Sequence, residues 1–250
     1  MKKSTKILIA AIVMIILATI FIGFWAYNAK NKGLIADYLC EKYGENFTVI
    51  KVGNAFNGND LRHKYAIAKS DAYEEEIYIY CYPNSNRQGD IIYINGKEHV
   101  IVDDYAEIAF QNQIQNELEK KINDEVFLEC EIAFSNYAIN KEEYEKGLKY
   151  CLEDESIASH ITIYAIARDE KQMNEIRNIV EEYCQEYNAY RQYLYFAIAP
   201  STDGKTIMKH YKKDSDSFDY HLNDCNEISH VEFSLIKRNE GITKKSVEKE

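Results

Sequence analysis

The chain has 250 residues, with 30 basic and 41 acidic side chains, 10 glycines, 2 prolines and 6 cysteines. Residues 1–32 carry five lysines and no carboxylate, so the remainder holds 25 basic against 41 acidic groups, a net of −16. Such a surface repels nucleic acid and anionic headgroups alike, which excludes a DNA- or RNA-binding role.

Residues 7–27 are free of charge and interrupted only by Thr19 and Gly23. At ~1.5 Å per residue they span the ~30 Å hydrocarbon core of a bilayer. Lys2, Lys3 and Lys6 precede the run, and Trp25 and Tyr27 stand where an interfacial aromatic belt lies. A cleaved signal has a shorter apolar core and small residues one and three places before the cut. Cuts after Ala26 or Ala29 would put Phe24 or Tyr27 at the third place, and no cysteine follows for a lipoprotein cut. The run therefore reads as an uncleaved, single-pass signal-anchor. Lys30 and Lys32 nearly balance the lysines ahead of it, but long domains translocate largely regardless of charge. The expected topology is N-terminus in, domain out.

A short amphipathic helix over 34–43 ends at Gly44, a fitting C-cap, with no proline to separate it from the anchor. Strands are expected at 47–52, 61–69 and 76–82, then at 90–94 and 97–102 around Asn95-Gly96, a hairpin signal because both residues tolerate positive φ. Gly53 and Gly58 have P-loop spacing, but Asn59-Asp60 follows where Lys and Ser/Thr are needed. Capping pairs Asp104/Glu107, Asn140/Glu143 and Asp169/Gln172 open three helices, to about 123, 153 and 187. In the third, Met173, Ile176, Val180, Tyr183 and Tyr187 recur at helical spacing. Strands fall between and after them at 126–135, 161–168, 193–199 and 228–236. The fold class is α+β. A transmembrane helix leads into an antiparallel sheet packed on helices, then a strand–helix–strand–helix–strand block whose crossovers can make parallel pairs. The expected divisions are 1–32 (stub and anchor), 33–123, 124–240 (separate from the preceding part or one continuous domain with it) and a disordered tail over 241–250.

Tyr38-Leu39-Cys40-Glu41-Lys42-Tyr43-Gly44, followed by Phe47-Thr48-Val49, resembles the start of uncharacterised membrane-tethered proteins of low-GC Gram-positive bacteria. Asp103-Asp104-Tyr105, leading a glutamine-rich helix, is similar to the same group. The resemblance covers roughly residues 1–123. It implies an anchored extracytoplasmic protein with no assigned activity and transfers no catalytic residue.

Each chemical candidate has a plainer explanation. Asp103-Asp104 offers paired carboxylates to a hard cation, yet Asp104 fits a helix cap. Glu74-Glu75-Glu76 reads as a solvated turn. His221, Cys225 and His230, with Asp224 alongside, match no zinc-ligand spacing. Gly-x-Ser-x-Gly is absent, and His63, His99, His160, His210, His221 and His230 lack the context of a catalytic base. Cys40, Cys81, Cys130, Cys151, Cys184 and Cys225 include no Cys-x-x-Cys pair, and Cys81, Cys130 and Cys151 continue apolar faces as buried thiols do. An extracytoplasmic location leaves room for one or two bridges. Tyr78, Tyr80 and Tyr82 share one strand face, either a recognition stripe or a second core face, and burial is the simpler expectation. Catalytic, cofactor and metal residues are accordingly none. The expected role is a non-catalytic recognition module whose partner is a protein or envelope component. The alternatives are an envelope hydrolase with a site built from distant residues and an immunity-type protein neutralising a basic toxin.

Overall fold

A computed structural model of the protein describes residues 3–57, 60–83, 89–94, 97–122, 126–134, 139–199 and 230–248. The chain forms two compact units, Met1–Asp104 and Tyr105–Glu250.

The N-terminal unit begins with one continuous helix, α1 (Lys3–Tyr43), so the apolar run and the amphipathic segment are a single rod. Its first part exposes Ile16, Leu17, Phe21 and Trp25. Further on, Ile35, Leu39 and Tyr43, spaced four apart on one face, are buried, and this part packs on the first strand. Gly44 stops the helix as expected, with φ +73° and its N–H bonded to the Cys40 carbonyl at 2.8 Å.

Five strands follow: β1 (Phe47–Asn57), β2 (Asp60–Ser70), β3 (Ile77–Pro83), β4 (Asp90–Ile94) and β5 (Lys97–Asp103). They form an antiparallel sheet in the order β1-β2-β3-β5-β4. Strand alternation sends Ile77, Ile79, Cys81, Ile101 and Asp103 to the buried side and Tyr78, Tyr80, Tyr82 and Val102 to the other. Gly53 sits opposite Tyr65, and a Cβ there would lie 2.7 Å from the Tyr65 ring. Glycine lets that ring cross the neighbouring backbone.

The C-terminal unit comprises α2 (Tyr105–Ile122), β6 (Phe127–Phe134), α3 (Lys141–Glu153), β7 (Ala158–Ala167), α4 (Glu170–Tyr187), β8 (Arg191–Ile198), β9 (His230–Lys237) and β10 (Gly241–Glu248). Its sheet order is β10-β9-β8-β7-β6. Among the described strands only β7 and β8, joined through α4, pair in parallel; α3 returns the chain antiparallel to β6. Asn140 and Glu143 form the expected reciprocal cap, and Asp169 accepts the Gln172 N–H at 2.8 Å. Gln192 donates from β8 to the Cys184 carbonyl on α4 at 3.0 Å, so the Gln192, Leu194 and Phe196 side faces that helix.

Three features differ from the sequence reading. Residues Gly241–Glu248, expected to be a disordered tail, pair with β9 along their whole length, after a turn in which Gly241 takes φ +83°. The division lies before α2 instead of after it, because α2 packs on β6 and α4. The helix from Asn140 is broken at Gly147, whose φ of 84° and ψ of 175° are not helical.

Candidate functional site

The densest polar constellation lies beneath α1. Lys42 Nζ is 2.9 Å from Asp103 and 2.8 Å from Asp90, with only 2% of its side chain exposed and none of Asp103's. Tyr43 donates to Asp103 at 2.6 Å; Tyr38 donates to Asp90 at 2.6 Å and to Asp103 at 3.1 Å. Burial, then the adjacent carboxylates, pushes both phenols far above the ordinary tyrosine range, so they act as fixed donors. One ammonium and two phenols thus satisfy two carboxylates, and the last turns of α1 are bolted to the paired ends of β4 and β5. Asp104 turns elsewhere. Its carboxylate accepts the Tyr78 N–H at 2.8 Å, and burial raises it to about 6 against that hydrogen bond, with Asp103 adding to the rise.

The opposite face of this sheet is aromatic and open. Tyr78 is 43% exposed, Ile91 58% and Tyr93 67%, while Tyr65, Tyr80 and Tyr82 are half-buried. Tyr80 and Tyr82 stack at 6.3 Å, and the Lys51 ammonium lies 5.4 Å from the Tyr65 ring. The tyrosine stripe is therefore not a second core face: among the described residues of the unit the one helix, α1, lies on the other side.

The C-terminal unit repeats the pattern. On the face of its sheet turned from α4, Tyr164 stacks on Tyr195 at 5.3 Å, Phe233 lies 4.9 Å from Tyr195, and His160 meets Tyr193 edge-on at 5.0 Å. All five rings are half-buried. Elsewhere Glu117 accepts from Tyr183 and Tyr187, each at 2.7 Å, and from Gln113 at 2.9 Å. Burial pushes Glu117 up, but these donors outweigh it and hold the carboxyl below its ordinary range. Arg177 pairs with Glu232 at 2.6 Å, tying α4 to β9. An open depression of about 430 Å³ is lined by Tyr150, Glu153, Asp154, Glu155, Tyr190, Arg238 and Asn239. The Arg238 guanidinium there is spent on the Asn188 and Leu152 carbonyls.

The remaining sequence candidates stay apart. Glu74, Glu75 and Glu76 are exposed. His99 is buried with Nδ1 2.9 Å from the Lys97 carbonyl oxygen, and burial, then Arg191, lowers His160. His230 lies on β9; His210, His221, Asp224, Cys225 and the His63 side chain fall outside the described residues. Cys81, Cys130, Cys151 and Cys184 are buried thiols, and Cys40 is exposed. Burial raises Cys130 and lifts Cys151 and Cys184 to about 12, the opposite of an activated nucleophile. Among the described residues no group of three or more His, Cys, Asp or Glu is placed to hold a metal.

The described residues thus make an α+β protein with two five-stranded sheets, each with an aromatic face, after a long N-terminal apolar helix. Its fold is similar to the crystal structure of a DUF5037 family protein from Ruminococcus gnavus, with a TM-score of 0.51 and 16% identity over 86% of this chain and 94% of that one. That family is uncharacterised, and its source is a low-GC Gram-positive bacterium. No protein-family model matches the chain, and no curated protein matches it. The α1 helix is long and apolar enough to cross a membrane, a property that signal sequences share.

Proposed function

We propose that the protein is a single-pass, membrane-anchored extracytoplasmic recognition module that binds another protein at the cell envelope. The observation that carries this reading is the exposed tyrosine face of the N-terminal sheet. Rings with apolar bodies and polar tips, open to solvent beside carboxylates, suit binding rather than turnover. The exposed apolar part of α1 and its long charge-free run support the anchor, with residues 1–32 as stub and span and the domain outside.

Two measurements test the reading. Protease added to intact protoplasts should remove everything after about residue 32; a protected domain would overturn the orientation, and a soluble form beginning near residue 27 or 30 would overturn the anchor. In the organism, Tyr78→Ala with Tyr93→Ala should abolish function without loss of fold, whereas each histidine changed to Gln should be silent. One histidine variant that is folded and inactive would move the assignment to an enzyme.

A further inference from the structure

The outer edge of β4 is built to receive another strand. Among the described residues β4 is an edge of its sheet, paired on one side only, with β5. Its register, Ile94 opposite Lys97, leaves two residues between the strands. The pair closing such a hairpin exchanges both backbone hydrogen bonds, and every second pair after it does the same. Ile94, Ile92 and Asp90 therefore spend their amides on β5, while Ile91 and Tyr93 point theirs outward. The same two residues carry the exposed side chains, at 58% and 67%. The edge presents free backbone groups and apolar side chains together, without the lysine, proline or bulge that ordinarily blunts an edge strand.

We propose that this edge docks an extended, basic segment of another protein, which adds to the N-terminal sheet as a sixth strand. The inference rests on the recognition reading above and specifies its partner. Backbone pairing would supply affinity, and alternate side chains of the segment would pack beside Ile91 and Tyr93. Charge favours a basic segment. The chain after residue 32 holds 25 basic against 41 acidic groups, and at the edge itself Glu98, exposed opposite Tyr93, stands beside Lys97.

A second copy fits less well. α1 lies across the sheet, with Lys32 bonded to the Ile50 carbonyl on β1 and Tyr38 to Asp90 on β4 at the far edge. A twofold pairing β4 with β4 antiparallel stands perpendicular to the sheet and reverses every direction in its plane, α1 included. Two copies anchored in one bilayer cannot meet that way.

The test uses the detergent-solubilised full chain and a phage library of random nine-residue peptides, with selected sequences then synthesised. Selected peptides should alternate apolar residues, carry Lys or Arg, and slow hydrogen exchange of the Ile91 and Tyr93 amides. Tyr93→Pro removes an outward amide and leaves the β5 ladder intact, as edge positions permit. It should weaken binding at least tenfold at an unchanged melting midpoint. Tyr93→Lys, which keeps the backbone, should do the same and stands in if the proline variant misfolds. Peptides that are acidic, or that protect other amides, would overturn the edge assignment and leave recognition standing. So would a library yielding no binder while the tyrosine pair remains essential in the organism. Concentration-dependent protection of the same amides without peptide would replace the partner by a second copy.

Discussion

Lys42 keeps an ammonium where only 2% of its side chain meets water, and Asp103 none. Such a pair matters most when half of it is removed, because the remaining charge stays buried. Lys42→Met should destabilise the N-terminal unit by about 3–5 kcal/mol, read as a lower urea midpoint at unchanged slope. An unchanged midpoint would mean that Tyr38 and Tyr43 alone satisfy Asp103. Asp104 makes a pH prediction of opposite sign to most carboxylates. Its folded value, about 6, lies above the ordinary 3.8, so the native state holds its proton longer. Its contribution to stability is present below about pH 4 and lost as pH rises through about 6. Asp104→Asn should therefore gain on the wild type across that window, by on the order of 1–2 kcal/mol after solvent screening. A pH-independent difference would refute the assignment. None of this was legible in the sequence, where Asp103 stood out only as the neighbour of Asp104 in a pair of carboxylates and Lys42 only as part of a short motif. Their meeting depends on a contact 61 residues apart in the chain.

At the scale of elements, local chemistry was readable and long-range register was not. Gly44, Asn140 and Asp169 stop or start helices as their side chains and turns require. The expected Asn95-Gly96 turn lies outside the described residues, but the antiparallel register flanking it, Ile94 opposite Lys97, leaves two residues for the connection. β10 was missed because an edge strand of Thr, Lys and Ser has few side chains to bury, so its alternation leaves no apolar trace; Ile242 itself is 47% exposed. α3 hid its break because Gly147 falls among good helix formers. A Cβ at Gly147 would meet nothing within 4 Å, so any cost of substitution there is backbone strain alone. Gly147→Ala should lower stability by about 1–3 kcal/mol, or straighten the helix and unseat Leu148, Cys151 and Leu152. Thermal melts report the first outcome and faster alkylation of Cys151 the second; a variant that does neither would show that the turn is not strained.

For the whole molecule, the α+β class and the order of elements followed from capping and periodicity, and similarity to a solved structure at 16% identity shows how little sequence that fold requires. Which sheet faces stay open did not follow, because a tyrosine stripe looks the same whether or not a helix covers it. The unbroken run of α1 from Lys3 to Tyr43 has a mechanical consequence. On the anchored reading the sheet has no tether to swing on; it is mounted on a shaft, and its bearing about the membrane normal is fixed by residue count. One residue inserted after Asn28 would rotate the β4 edge by about 100°, and seven would return it to within about 20° while lifting it ~10 Å. Inserting one to seven alanines there should make function in the organism rise and fall with the helical repeat if the partner sits in the same bilayer. Monotonic decay would mean that only height matters, and indifference that the partner arrives from solution.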